Sequence, residues 1–178
     1  MWRRMSILLI ATVGSVLPVL PNHAADGGAL AAEAQTAPEH SLAIIVNQSN
    51  PVENLSATEL RKVFMGERSH WSNGRRITPV MMGTGTLERK TMLREIYQMN
   101  EKDFGNHFLH GEFTGEVFVS PRTMETSLEV RKFVFNVPGA IGYVRAADVD
   151  SSVKVVRVDG HLPADKEYSL RVMLRSSR

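Results

Sequence analysis

Ile77-Thr78-Pro79-Val80-Met81-Met82-Gly83-Thr84-Gly85-Thr86-Leu87-Glu88-Arg89 is the stretch that decides the fold. An apolar run, Ile77 to Met82, reads as a strand. Pro79 lacks an amide donor, which suggests a bulge or an edge position. Gly83-Thr84-Gly85-Thr86 then breaks the run, and Leu87, Met92, Leu93, Ile96 and Tyr97 recur at helical spacing through about Met99. A strand, a Gly/Thr loop and a helix in that order form the repeating unit of α/β proteins. Such a loop presents free backbone amides at the positive end of a helix dipole, which favours an anion. Glycines at 83 and 85 let the backbone come close to an oxyanion, and Thr84 and Thr86 add hydroxyl donors. A purely local account is also open: Thr86 caps the helix and the glycines make a tight turn.

Upstream, Leu42-Ala43-Ile44-Ile45-Val46 reads as a buried strand ended by Asn47 to Pro51. Asn54-Leu55-Ser56 enters a helix in which Ser56 and Glu59 have capping-box spacing, Leu60, Val63 and Phe64 form the apolar face, and Gly66 is the stop. A polar loop from Arg68 to Arg76 turns at Ser72-Asn73-Gly74, and Trp71 reads as a plug holding it on the core. Downstream, Asn100 caps a short helix through Leu109, and Gly111 to Met124 is irregular, with an apolar patch at Val117-Phe118-Val119. Thr126 or Ser127 starts a helix carrying Leu128, Val130, Phe133 and Val134, which Val137-Pro138-Gly139 ends. Ile141 to Val144, Val153 to Val158 and Tyr168 to Val172 are the remaining expected strands, the last two joined around Asp159-Gly160. The expectation is an α/β fold, a mixed sheet flanked by helices.

The ends carry different information. Arg3 and Arg4 followed by the uncharged run Ser6 to Leu20 have the order of an export signal, with cleavage after Ala24 or somewhat later. The run is shorter than the roughly 18 residues of a membrane span. Residues 25–40 read as a disordered lead-in, 41–174 as one domain, and 175–178 as a tail. The chain has 21 Lys+Arg against 19 Asp+Glu, and residues 1–24 hold two of the arginines and no acid, which leaves 19 against 19. A balanced chain without a basic stripe is not a nucleic-acid binder. With 0 cysteines it has no thiol or disulfide chemistry, which suits export to a periplasm.

Three segments in this order resemble the phosphate-binding receptors of ABC transporters. They are Asn54 to Gly66 with Trp71 and Asn73-Gly74 behind it, Ile77 to Thr86 where the family has Gly-Ser-Gly-Thr, and Val137-Pro138-Gly139-Ala140-Ile141-Gly142-Tyr143-Val144. The resemblance implies a single lobe of a type 2 periplasmic-binding-protein-like fold. It implies an exported solute-binding module, not an enzyme, with a small oxyanion such as phosphate at Gly83, Thr84, Gly85 and Thr86. An ABC transporter or another envelope protein is the implied partner. Two departures stand beside it. The length fits one lobe of a two-lobed clamp, and Val80 and Met82 stand where the family has an arginine and an aspartate. A ligand-free interaction module that keeps the lobe fold is the alternative.

Other constellations are weaker. His107, His110 and Glu112 lie close together, yet read as solvent-exposed, with no second ligand group to complete a metal site. Met81 and Met82 read as core filler, and Arg75-Arg76 and Arg89-Lys90 as a solvated surface. Nucleophile-elbow, HExxH and Walker motifs are lacking, and no cofactor is implied.

Overall fold

A computed structural model describes residues 40–115 and 119–172. The export-signal and cleavage readings, all of the lead-in except His40, Val117-Phe118 of the apolar patch, and the 175–178 tail lie outside the described residues.

Among the described residues, six strands form one mixed sheet. In chain order they are β1 (Leu42–Asn47), β2 (Asn54–Leu55), β3 (Thr78–Met82), β4 (Arg122–Met124), β5 (Ala140–Arg145) and β6 (Val153–Val158). In space the order is β2-β6-β1-β5-β3-β4. Strand β1 is antiparallel to β5 and β6, whereas β3 is parallel to both β5 and β4. Four α-helices among the described residues flank the sheet: α1 (Ala57–Phe64), α2 (Leu87–Met92), α3 (Glu101–Thr114) and α4 (Ser127–Asn136). The α/β expectation and the mixed sheet are both observed.

The pleat sorts side chains between two layers. Val80 and Gly142 face α4: a Cβ built on Gly142 would stand 2.9 Å from Val130 Cγ1 and 3.5 Å from Val80 Cβ. Glycine at 142 lets the helix lie directly on the strand. Met81 and Tyr143 point to the other layer. There Phe64 of α1 packs 6.1 Å from both Tyr97 and Tyr143, and Tyr97 packs edge-on to Phe104 of α3 at 5.0 Å. Phe64, Tyr97 and Tyr143 are all fully buried. Each such ring contributes about 1.5–3 kcal/mol through burial, and edge-to-face pairs about 0.5–1.5 kcal/mol more. Trp71 is buried and donates Nε1–H to the Gly139 carbonyl at 2.9 Å, which holds its loop on the core as the sequence suggests.

Several expectations need correction. The helix from Leu87 does not run unbroken to Met99. It widens to a π-helical turn over Leu93–Tyr97 and stops at Gln98, in the left-handed region at φ 55. That turn carries Leu93, Ile96 and Tyr97 inward together. The short helix expected through Leu109 is α3 and runs to Thr114, ended by Gly115 at φ 76. Within the stretch read as irregular, Arg122–Met124 is a strand held by its register on β3, a pairing that a polar tripeptide does not advertise. Asn54-Leu55 is a two-residue strand, recruited by β6 rather than by its own propensity.

Pro79 is not on an edge strand, because β3 lies between β5 and β4. It is tolerated where β4 does not reach, since that pairing starts at Val80. Tyr168 to Val172 is not a strand. It docks through Leu42 N–H to the Leu170 carbonyl at 2.8 Å and the Tyr168 hydroxyl to the Leu42 carbonyl at 2.6 Å, with one bridge between Ser41 and Arg171. Asp159-Gly160 turns Val158 back onto His161, not onto that tail. On α4, Val130 and Val134 are buried, but Leu128 is half exposed.

Candidate functional site

The Gly/Thr loop closes β3. Thr86 N–H reaches the Gly83 carbonyl at 3.4 Å and Gly85 has φ +86, which makes Gly83–Thr86 a type II turn with glycine at the position that needs it. Thr86 is the N-cap of α2: its hydroxyl accepts from Arg89 N–H at 3.2 Å and donates to the Gly83 carbonyl at 2.9 Å. The local account of Thr86 is therefore correct, and its hydroxyl is already committed. Thr84 is exposed. Among the described residues, no hydrogen bond within the protein engages the Thr84 hydroxyl or the backbone amides of Thr84, Gly85, Leu87 and Glu88.

Parallel strands β3, β4 and β5 all end at this side of the sheet, where open α/β sheets form crevices. Their ends bring in groups from three parts of the chain. After β4 comes Glu125, whose carboxylate lies against Gly83: a Cβ on Gly83 would meet Glu125 Oε2 at 2.4 Å. Next, Thr126 and Glu129 form a complete capping box at the start of α4. Arg145, ending β5, is ion-paired with Glu88 in the first turn of α2.

Arg89 is the largest departure from the sequence reading, which put it on a solvated surface. Its side chain is 6% exposed and forks onto Glu101, Nε to Oε1 at 2.6 Å and Nη2 to Oε2 at 3.0 Å. Nη1 donates to the Met82 carbonyl at 3.3 Å, and the guanidinium lies 4.9 Å from the Phe104 ring centroid. Burial alone would lower the Arg89 pKa, but bonding to Glu101 and its charge outweigh that and raise it. Arg89 braces the strand just before the loop, and Glu101 consumes its fork. Tyr143 accepts from Met82 N–H at 3.1 Å, and burial pushes its hydroxyl well above the usual range.

Val80 and Met82 are buried in the sheet, so β3 sends neither a guanidinium nor a carboxylate to the loop. The carboxylate arrives from β4 as Glu125, which the sequence reading missed. It follows a strand of three residues, Arg122-Thr123-Met124, too short to read as one from its sequence, so only the three-dimensional pairing places it at the loop. His107 Nε2 lies 3.3 Å from the Met65 carbonyl. Among the described residues no group of three His, Asp or Glu could hold a metal, and no helix is long and apolar enough to cross a membrane.

No protein-family model matches the chain. Solved structures do. A protein from Clostridium perfringens described as a phosphate ABC transporter substrate-binding protein, solved with phosphate bound, superposes with a TM-score of 0.55 at 24% identity, over 68% of this chain and 46% of that one. An ABC-type phosphate transport receptor from Vibrio cholerae gives 0.50 at 21% identity, over 70% and 48%. PstS from Borrelia burgdorferi gives 0.52 at 14% identity, over 67% and 47%. The chain thus spans about half the length of the structures it matches. Over that half, it has the α/β fold of phosphate-transporter substrate-binding proteins.

Proposed function

We propose that this chain is an exported solute-binding module that takes a small oxyanion at Gly83–Thr86. The observation that supports it is the type II turn at the C-terminal end of β3, where, among the described residues, nothing bonds the amides of Thr84, Gly85, Leu87 and Glu88 or the hydroxyl of Thr84. Backbone amides at a helix start are anion donors that need no charged side chain. Glu125 adds a selective element: a carboxylate accepts a hydrogen bond from an oxyanion that carries a proton and repels one that does not. Phosphate near neutral pH carries a proton and sulfate does not, which favours phosphate. With Arg89 and Arg145 both paired to glutamates, the loop lacks a guanidinium clamp, and the expected affinity is low. An ABC transporter or another envelope protein would receive the loaded module.

A second reading, an interaction module that uses the lobe fold without a ligand, is favoured by a separate observation. Leu109 and Phe113 on α3 are 57% and 85% exposed, four residues apart on one helix, and Leu128 and Phe135 on α4 are half exposed.

Thermal unfolding with and without millimolar phosphate, sulfate and molybdate separates the two. A ligand confined to the folded state adds RT ln(1 + [L]/Kd), about 2.7 kcal/mol at 100 times Kd. A shift with phosphate that Thr84→Ala abolishes supports the solute-binding reading. The absence of any anion-dependent shift sinks it and leaves the interaction module.

A further inference from the structure

Helix α3 has two unlike faces. Phe104, His107, Phe108 and Gly111 turn toward the core, where Phe104 and Phe108 pack on the Tyr97 ring at 5.0 and 6.5 Å. The opposite face carries Lys102, Gly105, Asn106, Leu109 and Phe113, all exposed, Phe113 at 85%. Gly105 is the anomaly on it. Glycine is a poor residue for a helix interior, and among the described residues nothing lies within 4 Å of where its Cβ would stand. Packing inside the chain therefore gives no reason for it. Its missing side chain deepens a hole on the helix surface, because residues at i, i+3, i+4 and i+7 enclose such a hole, and here they are Lys102, Gly105, Asn106 and Leu109. Phe113 is a knob of matching kind. At 1.5 Å per residue, Gly105 and Phe113 stand about 6 Å to either side of Leu109 along the axis. Two copies of α3 laid antiparallel about a two-fold axis at Leu109 thus bring Phe113 of each copy level with Gly105 of the other.

We propose that the outer face of α3 pairs two copies of this chain, antiparallel, with Phe113 of each copy seated in the Lys102-Gly105-Asn106-Leu109 hole of the other. Each copy supplies one knob and one hole, which is the self-complementarity that an isologous contact requires. Charge fits as well as shape. Among the described residues Lys102 has no ion-pair partner, and its ammonium reaches the face of the inserted ring, where a cation is attracted. The exposed Leu128 and Phe135 of α4 offer no such arrangement: the residues between them on that face, Arg131 and Lys132, are long and charged, and no glycine opens it. One helix face is smaller than the roughly 800 Å² per partner of a stable interface, so the dimer is weak and forms where the chain is concentrated. Pairing through α3 uses no residue of the Gly/Thr loop and holds whether or not that loop takes an anion.

The test is sedimentation equilibrium of the full chain from about 1 μM to about 1 mM. The expected result is a monomer–dimer equilibrium without larger species, because an isologous contact closes at two copies. Phe113→Ser removes the knob and Gly105→Leu fills the hole, and each should weaken the dimer about tenfold or more. Gly105→Ala separates pairing from folding: it should raise the melting temperature of the dilute monomer while weakening the dimer. Should Gly105→Leu fail to fold, Phe113→Ser, at an exposed position, still decides. A chain that stays monomeric at about 1 mM overturns the proposal, and so does open-ended association. It is also overturned by a dimer that Phe113→Ser and Gly105→Leu leave unchanged, or by one that Leu128→Ser or Phe135→Ser dissolves instead, which would place the contact on α4.

Discussion

Glu125, just after β4, sets its carboxylate against Gly83, just after β3, so closely that a methyl group at position 83 would stand 2.4 Å from Oε2. The two are 42 residues apart and meet because β3 and β4 pair in parallel and end together. The pairing turns a loop of neutral donors into one that an acidic group watches over, and it makes protonation of the ligand the property the loop would read.

Replacing the acid tests that relationship directly. Glu125→Gln removes the repulsion toward an unprotonated oxyanion while keeping the side-chain shape. Sulfate affinity is expected to rise about tenfold relative to phosphate, the size of one charge-assisted hydrogen bond made or broken. Calorimetric titration of both anions reads the ratio. An unchanged ratio would place the Glu125 carboxylate away from any bound anion.

The two loop threonines should separate stability from binding. Thr86 caps α2 with its hydroxyl, so Thr86→Ala is expected to cost about 1 kcal/mol of stability. Among the described residues nothing bonds the Thr84 hydroxyl, so Thr84→Ala should stay within about 0.5 kcal/mol while weakening oxyanion binding. Urea unfolding checks the first pair of numbers. A large loss of stability in Thr84→Ala would show that the residue is structural.

Glycine-to-alanine changes at 83 and 139 look alike in sequence and should differ in cost. At Gly83 the obstacle is the far end of Glu125, which can swing away, so the change costs under about 1 kcal/mol. At Gly139 the obstacle is the Arg76 carbonyl at 2.0 Å, part of a backbone also fixed by Thr78 N–H to Gly139 O at 3.1 Å. Moving it costs about 1–3 kcal/mol and loosens the Trp71 anchor on the same carbonyl. Comparative melting of the two variants decides, and equal losses would contradict the packing described.

The parts that sequence made legible are those fixed by local chemistry. The Ser56–Glu59 capping box, the Thr86 cap, the β1 run and the Pro138-Gly139 stop each follow from residues a few positions apart, and each is observed. What escaped depends on distant partners. Arg122–Met124 is a strand only because β3 lies beside it, and the Tyr168 tail is held by Leu42 rather than by strand pairing. Arg89 reads as a surface charge until Glu101, twelve positions on, folds over to neutralise it. The Gly/Thr loop was legible as a turn, but its acid and its braces were not.

The tyrosines give a pH prediction with a definite sign. The chain has 3 tyrosines, Tyr97, Tyr143 and Tyr168, and all are buried. Burial raises the pKa of each above its ordinary value, at Tyr97 as at Tyr143 and Tyr168. A phenol whose folded pKa lies above the unfolded value of about 10 favours the folded state fully below that pH. Above it the unfolded chain sheds protons that the folded chain retains, so stability falls as pH rises toward the folded values. Three such groups together make the slope roughly 4 kcal/mol per pH unit, enough to exhaust a marginal stability of about 5–15 kcal/mol within a few units. Tyrosinate absorbance and circular dichroism, followed together through an alkaline titration, should therefore change in one step. Tyr168→Phe removes one titrating group but also the 2.6 Å bond to the Leu42 carbonyl, so it should lower stability near neutral pH and flatten the alkaline slope by about a third. Tyrosinate absorbance appearing near pH 10 in a protein that keeps its fold would mean that at least one of these rings reaches water.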